Sequence, residues 1–171
     1  LSIRRQRQMC IRDRLLPGAV EGLRLLQKAG FLLILITNQS GIGRGSLTYT
    51  DFWRVQKKVR DDLLREGVEW DAVYFCPHRP EEGCPCRKPG IQMLLQAQKD
   101  FSLSLPHSFL IGDKWEDIQT ALNAGVKPVL VLTGHGRETL ENSAVPPEVI
   151  LAENLLDAGR KILSLGQEIS R

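Results

Sequence analysis

The stretch FLLILITNQSG, residues 31–41, decides the fold class. Its first six residues, Phe31 to Ile36, are apolar, and Thr37 to Gly41 that follow are polar or small. A short run that is apolar on both faces fits a strand covered on both sides, the environment of a parallel sheet. Upstream, Leu16-Pro17-Gly18-Ala19 opens a helix with Val20, Leu23 and Leu26 on one stripe and Gly30 as its stop. Downstream, Thr48 and Asp51 have capping-box spacing, and Phe52, Val55, Val59 and Leu63 recur at helical intervals up to Gly67.

The same alternation continues to the end of the chain. DAVYFC (71–76) reads as a second strand, followed by a loop rich in Pro, Cys and Gly from Pro77 to Lys88. Pro89 stands where a first helical turn would begin, with Ile91, Leu94 and Leu95 behind it. Phe109 to Asp113 is a third strand, and Trp115 to Ala124 a helix closed by Gly125. Val129 to Leu132 is a fourth strand, Val149 to Leu151 a short fifth, and Leu155 to Ile169 a final helix. Strands alternating with helices predict βαβ units, a mainly parallel sheet and a Rossmann-like three-layer α/β sandwich, in one domain over residues 15–171. Right-handed crossovers put the strand carboxyl ends on one edge, which is where such sheets place their sites. Thr37-Asn38, Cys76 and Gly112-Asp113 all fall there.

Composition narrows the function classes. The 171 residues are 42% hydrophobic and 25% charged, ordinary for a soluble globular protein. No stretch approaches the ~20 apolar residues of a membrane span. The net charge of +3 is concentrated at one end: residues 1–14 hold five Arg against one acid, Asp13, and the rest of the chain holds 18 bases and 19 acids. The basic character therefore belongs to LSIRRQRQMCIRDR (1–14) and does not imply nucleic-acid binding by the folded body, with an Arg-rich binding arm as the functional alternative. That segment has no signal-peptide order and is read as a foreign or disordered arm, with the natural start missing.

Four constellations carry chemistry. Cys76, His78, Cys84 and Cys86 lie within eleven residues, and three thiolates with one imidazole match a closed, structural tetrahedral zinc site. The alternative is a disulfide, which a reducing compartment disfavours; Cys10 lies in the arm and is assigned nothing. Thr37-Asn38-Gln39-Ser40-Gly41 after a strand offers hydroxyl and N–H groups for a phosphate oxygen, or is simply a solvated turn. Arg87-Lys88-Pro89 at a helix start suits an anion, or is a solvated basic pair. Gly112-Asp113-Lys114-x-x-Asp117 puts an acid at a strand end, where Mg²⁺ could bind once a second oxygen source is supplied. Asp117 would support Asp113 from behind, or serve as a favourable first-turn charge.

Taken in order, TNQSGIGRG (37–45), CPHRPEEGCPCRKPG (76–90), GDKWED (112–117) and LPGAVEGLRLLQKAGF (16–31) resemble the haloacid-dehalogenase-like phosphatases. The resemblance is to the subgroup of D-glycero-D-manno-heptose 1,7-bisphosphate phosphatase and histidinol phosphatase, and it covers about residues 15–165. It implies a Mg²⁺-dependent phosphomonoesterase working through an aspartyl-phosphate, a reaction governed by positioning and electrostatics. On that basis Thr37 binds the phosphoryl group and Lys88 neutralises it. Asp113 ligates Mg²⁺ with Asp117 behind it, and Asn38, Arg87 and Lys114 contact substrate. The implied substrate is a phosphorylated sugar, with heptose bisphosphate ahead of histidinol phosphate. The implied state is a cytoplasmic monomer carrying catalytic Mg²⁺ and structural Zn²⁺, with no nucleic-acid or membrane partner.

One family element has no counterpart. The first, central strand ending Asp-x-Asp-Gly is absent, and Asp13, with no acid two positions later and no Gly, is not assigned its role. The strands at Phe31–Ile36 and Phe109–Ile111 are thus expected to lack a shared partner. The expectation is that the chain as it stands is inactive and unstable or partly molten. A non-catalytic, zinc-stapled module for phosphorylated ligands is the alternative function.

Overall fold

The computed structural model describes residues 15–169, so the readings of residues 1–14, including Cys10 and Asp13, lie outside the described residues. The elements in chain order are α1 (Ala19–Lys28), β1 (Ile34–Asn38), α2 (Ser40–Gly43), α3 (Tyr49–Arg65), β2 (Ala72–Cys76), α4 (Gln92–Phe101), β3 (Phe109–Gly112), α5 (Trp115–Ala124), β4 (Lys127–Val131), α6 (Gly136–Asn142), β5 (Ile150–Ala152) and α7 (Leu155–Ile169). The alternating pattern and the parallel pairing agree with the α/β reading.

Side-chain alternation sorts the helices into two layers. On β4, Val129 and Val131 join Leu26 of α1, Leu63 of α3 and Ile162 of α7 in one core. Leu130 between them joins Ile118 of α5 in another. A third cluster, with Ile36, Cys76 and Leu110 against Met93 of α4 and Ala121 of α5, lies with the second layer. The period of two along buried strands therefore gives helices on both faces.

The strands form two sheets rather than one. β1 pairs in parallel with β2, Ile34 opposite Ala72 through Asn38 opposite Cys76. β3, β4 and β5 form the second sheet, in that order. Between β1 and β3 runs a mainly apolar slot of about 750 Å³, lined by Ile34, Leu35 and Ile36 on one side and Leu110, Ile111 and Gly112 on the other. Among the described residues no strand fills it.

Several boundaries differ from the sequence reading. The first strand begins at Ile34, not Phe31, because Asp71 intervenes. The Leu33 N–H donates to Asp71 Oδ2 at 2.7 Å and the Asp71 N–H donates to Leu33 O at 2.7 Å, before regular pairing starts. The strand runs on through Thr37 and Asn38, so these residues end the ladder instead of following it. The helix expected at Pro89 starts at Gln92, after a tight turn in which the Gly90 N–H donates to Arg87 O at 2.6 Å. A side chain on Gly90 would collide with Pro85 O, so the turn needs glycine. α2 and α6 were not expected; both are short and carry little apolar periodicity. The helices from Thr48, at Trp115–Ala124 and at Leu155–Ile169 form where expected, the first with the Thr48–Asp51 capping box intact.

Candidate active site

The carboxyl ends of β1, β2, β3 and β4 bring Thr37, Cys76, Asp113 and Thr133 to one edge. Lys88 reaches that edge from the loop after β2. Its Nζ donates to Ile36 O at 3.3 Å and forms an ion pair with Asp117 Oδ1. The Lys88 and Asp117 side chains are only 13% and 9% exposed. A pair so withdrawn from water is held by geometry and extra hydrogen bonds more than by its Coulomb attraction alone. Asp117 has such a bond: its Oδ2 accepts the Lys114 N–H at 3.2 Å and caps α5. Its carboxylate can come this close to the sheet because position 112 is glycine; a Cβ there would collide with the Asp117 side chain.

Asp113 is held from a different direction. Its Oδ2 accepts the His135 N–H at 2.9 Å, and its backbone carbonyl accepts the Thr139 hydroxyl at 2.8 Å. Gly134 has φ of 61° and presses its Cα side on the Asp113 carboxylate, where a Cβ would collide. Gly134, His135 and Thr139 were missed in the sequence. Their signal was Thr-Gly-His-Gly directly after a buried strand, at the same edge as the other clusters. Thr37 is half-buried, and its Oγ1 accepts the Gln39 side-chain N–H at 3.0 Å, leaving its own O–H to donate.

The remaining expected residues are placed as follows. The Asn38 side chain bonds the Lys88 backbone twice, donating from Nδ2 to Lys88 O at 3.2 Å and accepting the Lys88 N–H at 3.0 Å. Arg87 Nη1 donates to His78 O at 3.4 Å, lying on the loop. Lys114 is exposed beside Asp113.

Cys76, His78, Cys84 and Cys86 converge, with all ligand atoms within 4.8 Å of one another. Cys84 Sγ and Cys86 Sγ are 2.8 Å apart, and His78 Nδ1 lies 3.6 Å from Cys76 Sγ and 3.4 Å from Cys86 Sγ. The sulfur separation exceeds the ~2.05 Å of a disulfide bond, and all three cysteines are free. The Cys86 thiol lowers the pKa of its neighbour Cys84, whereas burial, followed by the Cys84 thiol, raises that of Cys86. Four donors of this chemistry at this spacing can hold a metal ion. They also join the end of β2 to the segment leading into Lys88.

Comparison with known proteins narrows what this edge is. A family model described as HAD-hydrolase-like matches residues 85–158. The chain is 46% identical over 123 residues to a D-glycero-beta-D-manno-heptose-1,7-bisphosphate 7-phosphatase from Helicobacter pylori, covering 71% of each. It belongs to the heptose-bisphosphate phosphatase family of HAD-like hydrolases. A Pseudomonas putida member of this phosphatase family is 35% identical over 148 residues, 86% of this chain and 84% of the relative. The solved phosphatase from B. bronchiseptica, described as complexed with magnesium and phosphate, superposes with a TM-score of 0.83 at 33% identity, over 88% of this chain and 84% of that one. No helix of the described residues is long and apolar enough to cross a membrane.

Proposed function

We propose that this phosphatase-family site is built to remove a phosphate from a heptose bisphosphate, with Mg²⁺ as catalytic and Zn²⁺ as structural metal. The observation supporting the proposal is that Lys88, Asp113 and Asp117 line one end of the slot between β1 and β3, with Thr37 near the carboxyl end of β1. Those side chains supply a hydroxyl donor, a fixed cation and a carboxylate, the groups that a transferring phosphoryl unit and its cation need.

The residues present suit a magnesium ion. The cradle of Gly134 and the His135 N–H around Asp113 Oδ2 fixes one carboxylate at the edge. Mg²⁺ commonly takes one or two carboxylates and completes its shell with water and phosphate oxygens. Asp113 would hold it, and when bound it would neutralise charge on the phosphoryl oxygens. Cys76, His78, Cys84 and Cys86 would hold zinc with no open position, so that metal would fix the loop and take no part in the chemistry. Thr37 would donate to a phosphoryl oxygen, Lys88 would balance its charge, and Arg87 and Lys114 would meet the rest of the sugar phosphate.

The attacking carboxylate is not among the described residues. A strand entering the slot parallel to β1 and β3 would end between Thr37 and Asp113, where that group is required. Resequencing the coding DNA upstream of the Leu15 codon tests this directly. An apolar strand ending Asp-x-Asp-Gly supports the phosphatase reading, and a protein carrying it should release phosphate from heptose 1,7-bisphosphate faster than from histidinol phosphate. A start codon ahead of the Arg-rich segment removes the nucleophile and leaves a zinc-stapled module that binds phosphorylated ligands without cleaving them. As it stands, the chain is expected to give no Mg²⁺-dependent phosphate release above blank.

A further inference from the structure

Asn38 is the last residue of β1, and its neighbour Gln39 extends the pairing by donating its N–H to Cys76 O at 2.7 Å. The Asn38 side chain turns away from that ladder and meets a segment fifty residues further on. It gives a donor to Lys88 O and an acceptor to Lys88 N–H, at 3.2 and 3.0 Å. A planar carboxamide used in this way replaces a peptide group and forms a one-residue ladder rung. Asn and Gln carry a donor and an acceptor side by side on one planar carboxamide.

We propose that Asn38 is a positioning residue that docks the exit of the Cys/His loop onto β1 and so sets the placement of Lys88 and Arg87. Lys88 is then tied to the same strand at both ends, its backbone by Asn38 and its Nζ by Ile36 O. Cys86 stands in the metal cluster on the other side of Arg87. Arg87 is therefore bracketed between the cluster and the Asn38 rung, which limits where its guanidinium can start from. The cluster alone cannot do this, because Arg87 and the rotatable Lys88 side chain intervene between Cys86 and Lys88 Nζ. The value of placing Lys88 rests on the phosphatase reading above. The placement itself does not, so it can fail or hold independently.

The test uses the zinc-loaded full chain and reads Lys88 itself. Hydrogen exchange of the Lys88 amide and acetylation of its Nζ are followed by peptide mass spectrometry in the parent, Asn38→Ala and Asn38→Asp. Zinc stoichiometry and the exchange of β4 amides serve as controls. Asn38→Ala is expected to speed Lys88 amide exchange about tenfold and Nζ acetylation about fivefold, with zinc content and β4 protection unchanged. Asn38→Asp keeps the acceptor and loses the donor. It is expected to leave the Lys88 amide protected while acetylation rises about threefold. If Asn38→Ala also exposes β4, the Asp variant decides alone. Parent-like acetylation of Lys88 in Asn38→Asp, or parent-like exchange and acetylation in a folded Asn38→Ala, overturns the proposal and leaves Asn38 as a direct ligand contact.

Discussion

Lys88 and Asp117 come from opposite sides of the slot and neutralise each other at its carboxyl end, with 13% and 9% of their side chains exposed. Removing one partner leaves the other charge buried, which typically costs about 3–5 kcal/mol. The two ends are not equivalent. Asp117 also caps α5 through the Lys114 N–H, so Asp117→Ala loses the cap as well. In a protein with a strand filling the slot, Asp117→Ala is therefore expected to lower urea stability by about 4 kcal/mol, and Lys88→Met by about 2 kcal/mol, because the remaining carboxylate keeps its backbone donor. Equal losses would show that the cap contributes nothing. Gly112→Ala should resemble Asp117→Ala, since the added methyl displaces the same carboxylate.

The loop from Pro77 to Lys88 has few apolar residues, and a metal held by its Cys/His cluster would give it shape. Chelating the metal should loosen this loop before the rest of the fold, because binding free energy at such a site is folding free energy. A loss of about 3 kcal/mol would lower Tm by roughly 6–12 °C in a domain of this size. Cys84→Ser should reproduce the effect of chelator, and chelator should add nothing further to that variant. A Tm indifferent to chelator would refute a structural metal.

Much of this architecture was legible in the sequence. Apolar runs and helix caps such as Thr48–Asp51 are local, and local chemistry decided them. The Cys/His cluster was legible because its spacing alone limits what it can bind. The boundary of β1 was not, since it depends on Asp71, 38 residues from its partner Leu33. The Asn38 rung was also hidden. Next to a phosphate-like turn, Asn38 reads as a ligand contact, and only the fold brings Lys88 to it. His135 and Thr139 were missed because a backbone N–H and a hydroxyl aimed at Asp113 leave no charged or periodic trace.

Tyr74 on β2 gives a pH-dependent signal away from the site. Its hydroxyl donates to Asp100 Oδ2 at 2.7 Å, joining β2 to α4. Burial, and then the Asp100 carboxylate, push its pKa from 10.0 up to about 12. The folded state thus holds the phenol proton more tightly than the unfolded chain does. The stabilising contribution is complete below pH 10 and is lost as pH rises through about 12. Absorbance titration at 295 nm should show a late tyrosine ionisation that disappears in Tyr74→Phe. The stability gap between parent and variant should close over the same interval. A single normal ionisation for both tyrosines would contradict the contact.

The slot between β1 and β3 is the weak point among the described residues. Each strand has one ladder partner among the described residues, and both edges facing the slot belong to otherwise buried, apolar strands. Unpaired backbone groups there cost about 1–3 kcal/mol each if they are kept from water, and a typical domain has only roughly 5–15 kcal/mol of stability. Water entering the slot relieves that cost but wets the apolar walls. Either way the chain described here should be marginal, with a broad melt, weak near-UV circular dichroism and binding of a hydrophobic dye. A protein carrying an apolar strand in front of Leu15 should melt sharply and lose the dye signal, because one insertion pairs both edges and fills about 750 Å³. A sharp, cooperative melt with native-like near-UV signal from the present chain would refute this. It would mean that the two sheets are held together well enough by the helices packed across their faces.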